Sequence, residues 1–209
     1  MNRMSALVGV ATCLCLLALS TACTKKVNWK EDVQLADGRV VTLTRHQEFG
    51  GPHEIGQPAT ESSGWLEFQN PDSGKKIRWD YLRDLRPVAL LIDPGTTQVL
   101  VAIEYGGIFR RNCPSPPFLL YEYDGHHWSE QSIEKLRGQK IKQNLISTPF
   151  DAEEIMNNNN LHLSVQQAAK HATGYSHGHR IDFGKLTTQT FGMKNCDPPL
   201  NYLLEDEAK

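Results

Sequence analysis

The sequence predicts a mainly β protein, an antiparallel meander of hairpins that forms a sandwich or an open barrel, with one or two short helices near the C-terminus. Two observations support this prediction. Four turn-forming segments, each flanked by strand-like runs, occur before residue 135, and helix-start signals occur only after Gln143. The turns are unevenly spaced, which favours a sandwich or barrel over a propeller, whose blades repeat at a fixed period.

Turn chemistry defines the four hairpins. The turns are, in chain order, Asp37-Gly38, 70–74, 93–96 and Asp124-Gly125. Asp-Gly pairs favour the positive φ angles of tight hairpins, and Asn, Asp, Ser and Pro each favour turns. The strands predicted around these turns are 33–35 with 39–43, 65–68 with 76–79, 87–92 with 98–103, and 118–123 with 128–133. The third pair is almost entirely apolar, which predicts strands covered on both faces at the centre of the core.

Breakers and capping residues define the other segments. Glycine and proline residues across 47–63 predict a long exposed loop. Residues 151–154 form a capping box that predicts one short helical turn, and Ser164 with Gln167 predicts a better helix that ends near Gly174. Two further strands are predicted over 179–183 and 186–191, and a frayed charged tail is predicted over 205–209.

Residues 1–22 are typical of an export signal. Arg3 gives a positive start, an apolar stretch covers 6–19, and Ser20-Thr21-Ala22 provides the small residues that signal peptidases require. The apolar stretch has about 14 residues, fewer than the roughly 20 that a membrane-spanning helix needs. We therefore predict a cleaved signal rather than a retained helix.

Residues 19–23, Leu-Ser-Thr-Ala-Cys, resemble the signal of bacterial lipoproteins, in which a small residue precedes a cysteine that is diacylated and becomes the N-terminus. The resemblance implies that Cys23 is lipidated and anchors the chain in the cell envelope. Thr24, rather than Asp, then implies the outer membrane, with the domain in the periplasm. Such signals usually have Leu where Ser20 stands, and Ser20-Thr21-Ala22 also fits ordinary signal peptidase, which would release a soluble periplasmic protein.

The number of cysteines favours acylation. Cys13 and Cys15 leave with the signal, so the mature chain keeps Cys23, Cys113 and Cys196. An odd thiol is unfavourable in an oxidising compartment, and acylation of Cys23 leaves Cys113 and Cys196 to form a disulfide. Closing a loop of roughly 80 residues would contribute about 4 kcal/mol to stability. The alternative is that both remain as buried free thiols.

Length and charge limit the function classes. Without its first 22 residues, the chain of 209 residues suits one domain or at most two small ones. We expect an acylated tether over 23–31, whose Lys25, Lys26 and Lys30 lie near anionic headgroups, and a single β-rich domain over 32–204. A formal net charge of -2 gives no field suited to nucleic acid.

Histidines provide the nearest approach to a metal motif. His177 and His179 point to the same side of an extended segment, as two ligands of one ion would. Their spacing identifies no third ligand, so we expect neither a metal nor a cofactor. His126 and His127 follow an Asp-Gly turn and are predicted to be exposed at a hairpin tip.

Aromatic residues offer a second candidate surface: Trp29, Trp65, Trp79 and Trp128, with Tyr105, Tyr121 and Tyr123. In hairpins such side chains more often fill the core than form a glycan platform. The leading hypothesis is a non-enzymatic envelope lipoprotein that binds or scaffolds an envelope protein or glycan. The alternative is a hydrolase of glycan or peptide. A concave pocket with convergent titratable groups would favour this alternative.

Overall fold

The protein is mainly β, as predicted. The computed structural model describes residues 24–51, 60–82, 85–92, 94, 98–104, 118–136, 142–149 and 153–171. The strands are β1 (Lys25–Gln34), β2 (Val40–Phe49), β3 (Glu61–Gln69), β4 (Lys76–Leu82), β5 (Leu85–Leu91), β6 (Gln98–Glu104), β7 (Phe118–Tyr123), β8 (Trp128–Gln131) and β9 (Leu161–Leu163). The helices of this part of the chain are a 3-10 helix (Ile133–Leu136), α1 (Glu153–Asn157) and α2 (Val165–His171).

All four predicted hairpins are present, and together they form an antiparallel meander. The hairpins are β1-β2, β3-β4, β5-β6 and β7-β8. Gly38 and Gly125 adopt φ angles of 87° and 101° in two of the turns, a conformation that glycine tolerates best. One sheet has the order β4-β3-β2-β1-β9 and the other β5-β6-β7-β8. β9 pairs with β1 in parallel, so β1 is an inner strand where the two meet.

The two sheets share one apolar cluster, which makes the fold a sandwich. Its buried members are Val33, Leu35, Val41, Leu43, Leu66, Phe68, Ile77, Trp79, Tyr81, Leu90, Ile92, Tyr123 and Leu145. Each large apolar side chain so buried contributes about 1.5–3 kcal/mol relative to an exposed one. In β5, Val88, Ala89 and Leu90 are all buried, so this strand is covered on both faces as predicted.

A second apolar cluster joins the start of β1 to the helices. It contains Val27, Trp29, Phe49, Ile146, Ile155, Leu163 and Ala168. The capping box predicted for the last helix is confirmed: the Ser164 backbone N–H donates to Gln167 Oε1 at 3.0 Å, and the Gln167 N–H donates to Ser164 Oγ at 3.5 Å. α2 therefore begins where its cap predicts and holds Ala168 against the sheet.

β1 corrects the predicted boundary between tether and domain. The lysines among residues 25–31 predict a tether, yet these residues form the first part of this strand. Val27 and Trp29 are only 2% and 1% exposed, because every second residue of the strand points into the core. The folded domain therefore includes residues 25–31 and does not begin at residue 32.

The loop predicted over 47–63 is wrong at both ends. β2 continues to Phe49, which is 1% exposed, and β3 already begins at Glu61. β2 and β3 extend into this segment because their antiparallel pairing continues through its polar residues as far as Phe49 opposite Glu61. Residues 52–59 lie outside the described part, as do the predicted strands at 179–183 and 186–191 and the tail at 205–209.

Candidate functional site

Most residues singled out by the sequence for special chemistry lie outside the described part of the chain: Cys23, Cys113, Cys196, His177 and His179. The lipid anchor, the disulfide and the weak metal motif therefore stay predictions. Within the residues that the structure describes, no cluster of three or more His, Cys, Asp or Glu side chains could hold a metal ion. The helices described in this structure are also too short or too polar to cross a membrane.

The described tryptophans and tyrosines mainly serve the core. Trp29 and Trp79 are buried, with exposures of 1% and 4%, and Tyr123 is also buried. Trp128 is partly buried against the main cluster, and its indole N–H donates to the backbone oxygen of Arg78 at 2.8 Å. This indole therefore covers part of the outer edge of β4, which is the last strand of its sheet among the described residues.

Trp65 points away from the core, but it is in contact with two neighbours. The His46 ring on β2 stacks on it with 5.5 Å between centroids and 16° between planes. The Arg78 guanidinium carbon on β4 lies 4.4 Å from the Trp65 ring centroid. A sugar that stacked on this indole would have to compete with both side chains, so Trp65 is a poor glycan platform.

A shallow depression beside Trp65 is lined by His46, Glu48, Arg78 and Asp80, and these groups pair with one another or with Lys26 nearby. Lys26 contacts Glu48 at 2.8 Å, and Arg78 contacts Asp80 at 2.7 Å. Hydrogen bonds from Lys26 and His46 lower the pKa of Glu48 to about 2. Such a carboxyl holds no proton at neutral pH and is unsuited to general acid catalysis. The depression is therefore a polar surface stabilised by ion pairs.

A deeper cleft of about 390 Å³ opens between the end of β1, the end of β5 and α2. It is lined by Asp32, Gln34, Leu35, Ala36, Leu90, Leu91, Ile92, Lys142, Gln143, Asn144, Val165, Gln166 and Ala169. Its volume falls within the range of about 300–1,000 Å³ that is typical of small-ligand sites. We call this feature the sheet-end cleft.

Asn144 joins the two sheets at this cleft. Its side-chain Nδ2 donates to the backbone oxygens of Gln34 at 3.2 Å and Leu90 at 3.0 Å. Its Oδ1 accepts the Leu90 backbone N–H at 2.9 Å. The amide side chain thus pairs with the edges of β1 and β5 as another strand would, which fixes the width of the cleft. Sequence reasoning missed Asn144, because its segment has no periodic pattern.

Asp32 supplies the carboxylate of the sheet-end cleft. His162 Nε2 lies 2.9 Å from its Oδ1, and the Thr42 hydroxyl donates to the same oxygen at 2.7 Å. Partial burial would raise the pKa of Asp32, but the hydrogen bonds of His162 and Thr42 outweigh it and hold the pKa below its usual value. Asp32 is therefore a stable anion at neutral pH, and its ionised form favours folding at any pH above about 3.9.

His162→Ala tests which partner holds this carboxylate. We expect the pKa of Asp32 to rise towards its usual value, because the hydrogen bond of His162 lowers this pKa more than that of Thr42 does. The stability contributed by Asp32 is then lost at a higher pH during acid titration than in the native chain. A carboxyl-carbon NMR titration measures the shift, and Asp124, whose pKa is lowered by the backbone N–H groups of His127 and His126, is the internal control. An unchanged Asp32 pKa would instead assign the effect to Thr42.

A buried ion pair supports the wall of the cleft. Glu31 and Arg45 are both 0% exposed and contact each other directly. Glu31 Oε2 accepts the Ile146 backbone N–H at 3.2 Å, and Arg45 Nη1 donates to the Ile146 backbone oxygen at 3.1 Å. Burial raises the pKa of the Glu31 carboxyl, although Arg45 opposes this effect. The pair therefore clamps the segment that carries Asn144.

A second acid holds the same segment from β3. Glu61 is 8% exposed, accepts a hydrogen bond from the Thr148 hydroxyl and contacts Arg86 Nε at 2.9 Å. Segment 142–149 is thus attached to the sandwich at Asn144, Ile146 and Thr148. Together these contacts hold one wall of the sheet-end cleft in place.

The exposed histidines occupy the predicted hairpin tip. His126 and His127 lie between β7 and β8, and both backbone N–H groups donate to Asp124 Oδ1, at 2.8 and 2.9 Å. This arrangement is an ordinary Asp-based turn cap. The two imidazoles do not converge on either the cleft or the depression, since neither is lined by them.

Comparison with known proteins adds no assignment. A scan against protein-family models found no matching family, and searches of curated proteins and of solved structures found no significant match. The arrangement of the sheet-end cleft is therefore the basis for any functional proposal.

Proposed function

We propose that this chain is a lipid-anchored envelope protein whose β-sandwich binds a partner, an envelope protein or glycan, through the sheet-end cleft. The observation that carries the proposal is the cleft itself, whose walls come from two strands, a helix and a segment held at three points. A site on such elements is organised before its ligand arrives, which lowers the entropic cost of binding.

The lining favours binding over hydrolysis. Among the described residues, the cleft has no Ser, Thr, Cys or His side chain to act as nucleophile or base. Asp32 is its only carboxylate in this part of the chain, whereas glycoside hydrolysis normally uses two. The lowered pKa of Asp32 also makes it a poor proton donor.

The same lining indicates the class of ligand. Gln34 and Gln166 are exposed amides at the cleft, and each can donate and accept hydrogen bonds. Leu35, Leu91 and Val165 add apolar surface beside them. Amides next to apolar side chains suit a peptide backbone or the hydroxyl groups of a sugar. Asp32 and Lys142 add one charge of each sign.

Photocrosslinking in intact cells tests the cleft. A photoreactive residue at Gln166 lies in the lining, whereas one at Lys170 is exposed on the same helix but outside the lining. We expect a reproducible covalent adduct from position 166 and a much weaker one from position 170. Equal capture from both positions, or none from 166, would contradict the cleft as the binding site.

Mass spectrometry of the native protein tests the anchor separately. We expect a diacylglycerol-modified Cys23 as the N-terminal residue and a disulfide between Cys113 and Cys196. An unmodified Cys23 in the mature chain would reject the anchor and support release by ordinary signal peptidase. The binding role of the cleft does not depend on that outcome.

A further inference from the structure

We propose that the sandwich stands upright on the bilayer, with the start of β1 at the headgroups and the sheet-end cleft held at the far end, towards the periplasm. The proposal rests on the acylation of Cys23 in the proposed function. It assigns a bilayer-facing end and a partner-facing end to the domain, which acylation alone does not.

The first argument is the length of chain between the anchor and the fold. Only Thr24 separates Cys23 from Lys25, the first residue of β1. The two steps from Cys23 to Lys25 reach at most about 7 Å, which is no more than the depth of one headgroup layer. Thr24 also packs against the end of β2, since a Cβ built on Gly50 would lie 3.4 Å from Thr24 Oγ1. Thr24, the residue next to the proposed attachment point, is therefore held against the domain.

The second argument is that β1 itself is held firmly. It pairs with β2 along its whole length, from Lys25 opposite Phe49 to Gln34 opposite Val40. Val27 and Trp29, near its start, are buried in the second apolar cluster. The strand cannot unpair from this end without exposing both side chains to water. Its direction therefore sets the direction of the domain on the membrane.

The third argument is where the cleft lies along that strand. The cleft is lined by Asp32 and Gln34 at the end of β1 and by the two residues that follow, whereas the anchor precedes Lys25. At about 3.3 Å per residue, the nine steps from Lys25 to Gln34 span about 30 Å. An upright domain thus holds its cleft roughly one bilayer-core thickness above the surface.

The end nearest the anchor has chemistry that suits a headgroup layer. Lys26, Glu48, Ser63 and Leu82 are consecutive partners across the four strands β1 to β4, so they form one row at this end. Leu82 is 71% exposed, and the Lys26 side chain remains 60% exposed although it pairs with Glu48. An exposed leucine and lysine ammonium groups favour the apolar and anionic parts of the interface.

Two exposed side chains provide a matched pair of probes. Leu82 lies in the row beside the anchor, and Val40, which is 53% exposed, lies opposite Gln34 at the other end of the sheet. The rows are eight residues apart on β1, or about 26 Å. Leu82→Cys and Val40→Cys each accept a fluorophore without disturbing the core, and the unsubstituted protein measures labelling at native thiols.

The experiment uses the acylated protein in vesicles of phosphatidylethanolamine and phosphatidylglycerol that carry a headgroup-attached quencher. We expect quenching at position 82 to be severalfold stronger than at position 40. A flexible Gly/Ser linker of about ten residues inserted after Thr24, with a mean end-to-end distance of about 17 Å, should remove most of this contrast.

Three other outcomes are informative. Equal quenching at both positions in vesicle-bound protein, or stronger quenching at position 40, would overturn the upright orientation and leave the anchor intact. A contrast that survives the linker would mean that the end surface, rather than the short attachment, orients the domain, which would overturn the first argument. If the protein purified from its native membrane proves to be unacylated at Cys23 and stays off the vesicles, the anchor in the proposed function is rejected, and the orientation that rests on it is overturned as well.

Discussion

Arg45→Met is expected to destabilise the domain by about 3–5 kcal/mol at neutral pH, because it leaves a buried charge without a counter-ion. Glu31 and Arg45 are both fully buried, and two guanidinium nitrogens, Nε and Nη2, have no hydrogen-bond partner among the described residues. Removal of Arg45 alone therefore leaves the Glu31 carboxylate buried without its counter-ion. Urea unfolding of the domain measures the loss.

The pH dependence of this variant identifies the cause. Burial already raises the pKa of Glu31 above 4.5, and loss of Arg45 removes the charge that opposes the rise. The folded variant then holds the Glu31 proton more tightly than the unfolded chain does, so its stability falls as pH rises through the raised pKa. Well below pH 4.5 the carboxyl is neutral in both states, and most of the difference from the native chain should disappear. A pH-independent loss would point to packing instead of charge.

Two further variants separate a buried pair from an ordinary one. Glu31→Leu combined with Arg45→Met should recover most of the stability, since apolar residues of similar volume often replace a buried pair at no net cost. Lys76→Met is the control, because Lys76 pairs with Glu67 at the surface and its side chain is 74% exposed. It should lower the free energy of unfolding by less than about 1 kcal/mol. A double variant as unstable as Arg45→Met alone would contradict this account.

The hairpins could be predicted from sequence because their information is local. Asp37-Gly38 and Asp124-Gly125 specify turns within a few residues, and the structure pairs the strands on either side of each. The start of β1 was missed because its lysines resemble a tether. Only pairing with β2 and the cluster around Trp29 define it as a strand, and those contacts come from distant parts of the chain.

The site could not be predicted, because its contacts join positions far apart in the chain. Asn144 lies 110 residues from Gln34, and Ile146 lies 115 residues from Glu31. One signal was nevertheless present in the sequence. Glu31 stands at an inward position between Trp29 and Val33, and a charged residue in the apolar phase of a strand indicates a buried partner.

Gly64→Ala is expected to destabilise the domain by about 3 kcal/mol, because the new methyl group meets the ring of Tyr81. A Cβ at Gly64 would lie 2.6 Å from Cε2, Cζ and the hydroxyl oxygen of Tyr81. The ring crosses over the glycine to reach β2, where its hydroxyl donates to Gln47 Oε1 at 3.0 Å. Tyr81 is 5% exposed and held by this bond, so its ring cannot move away from the new methyl group without straining or breaking the bond. Thermal and urea unfolding measure the loss.

Gly50→Ala is the matched control, since its nearest neighbour is the Thr24 hydroxyl at 3.4 Å, which can rotate away. We expect a change within about 0.5 kcal/mol. The decisive test places Gly64→Ala in a Tyr81→Val background. Without the ring, alanine should stabilise the strand by up to about 1 kcal/mol relative to glycine, because glycine loses more backbone entropy on folding. If Gly64→Ala costs the same with and without the ring, Tyr81 is not the reason that position 64 is glycine.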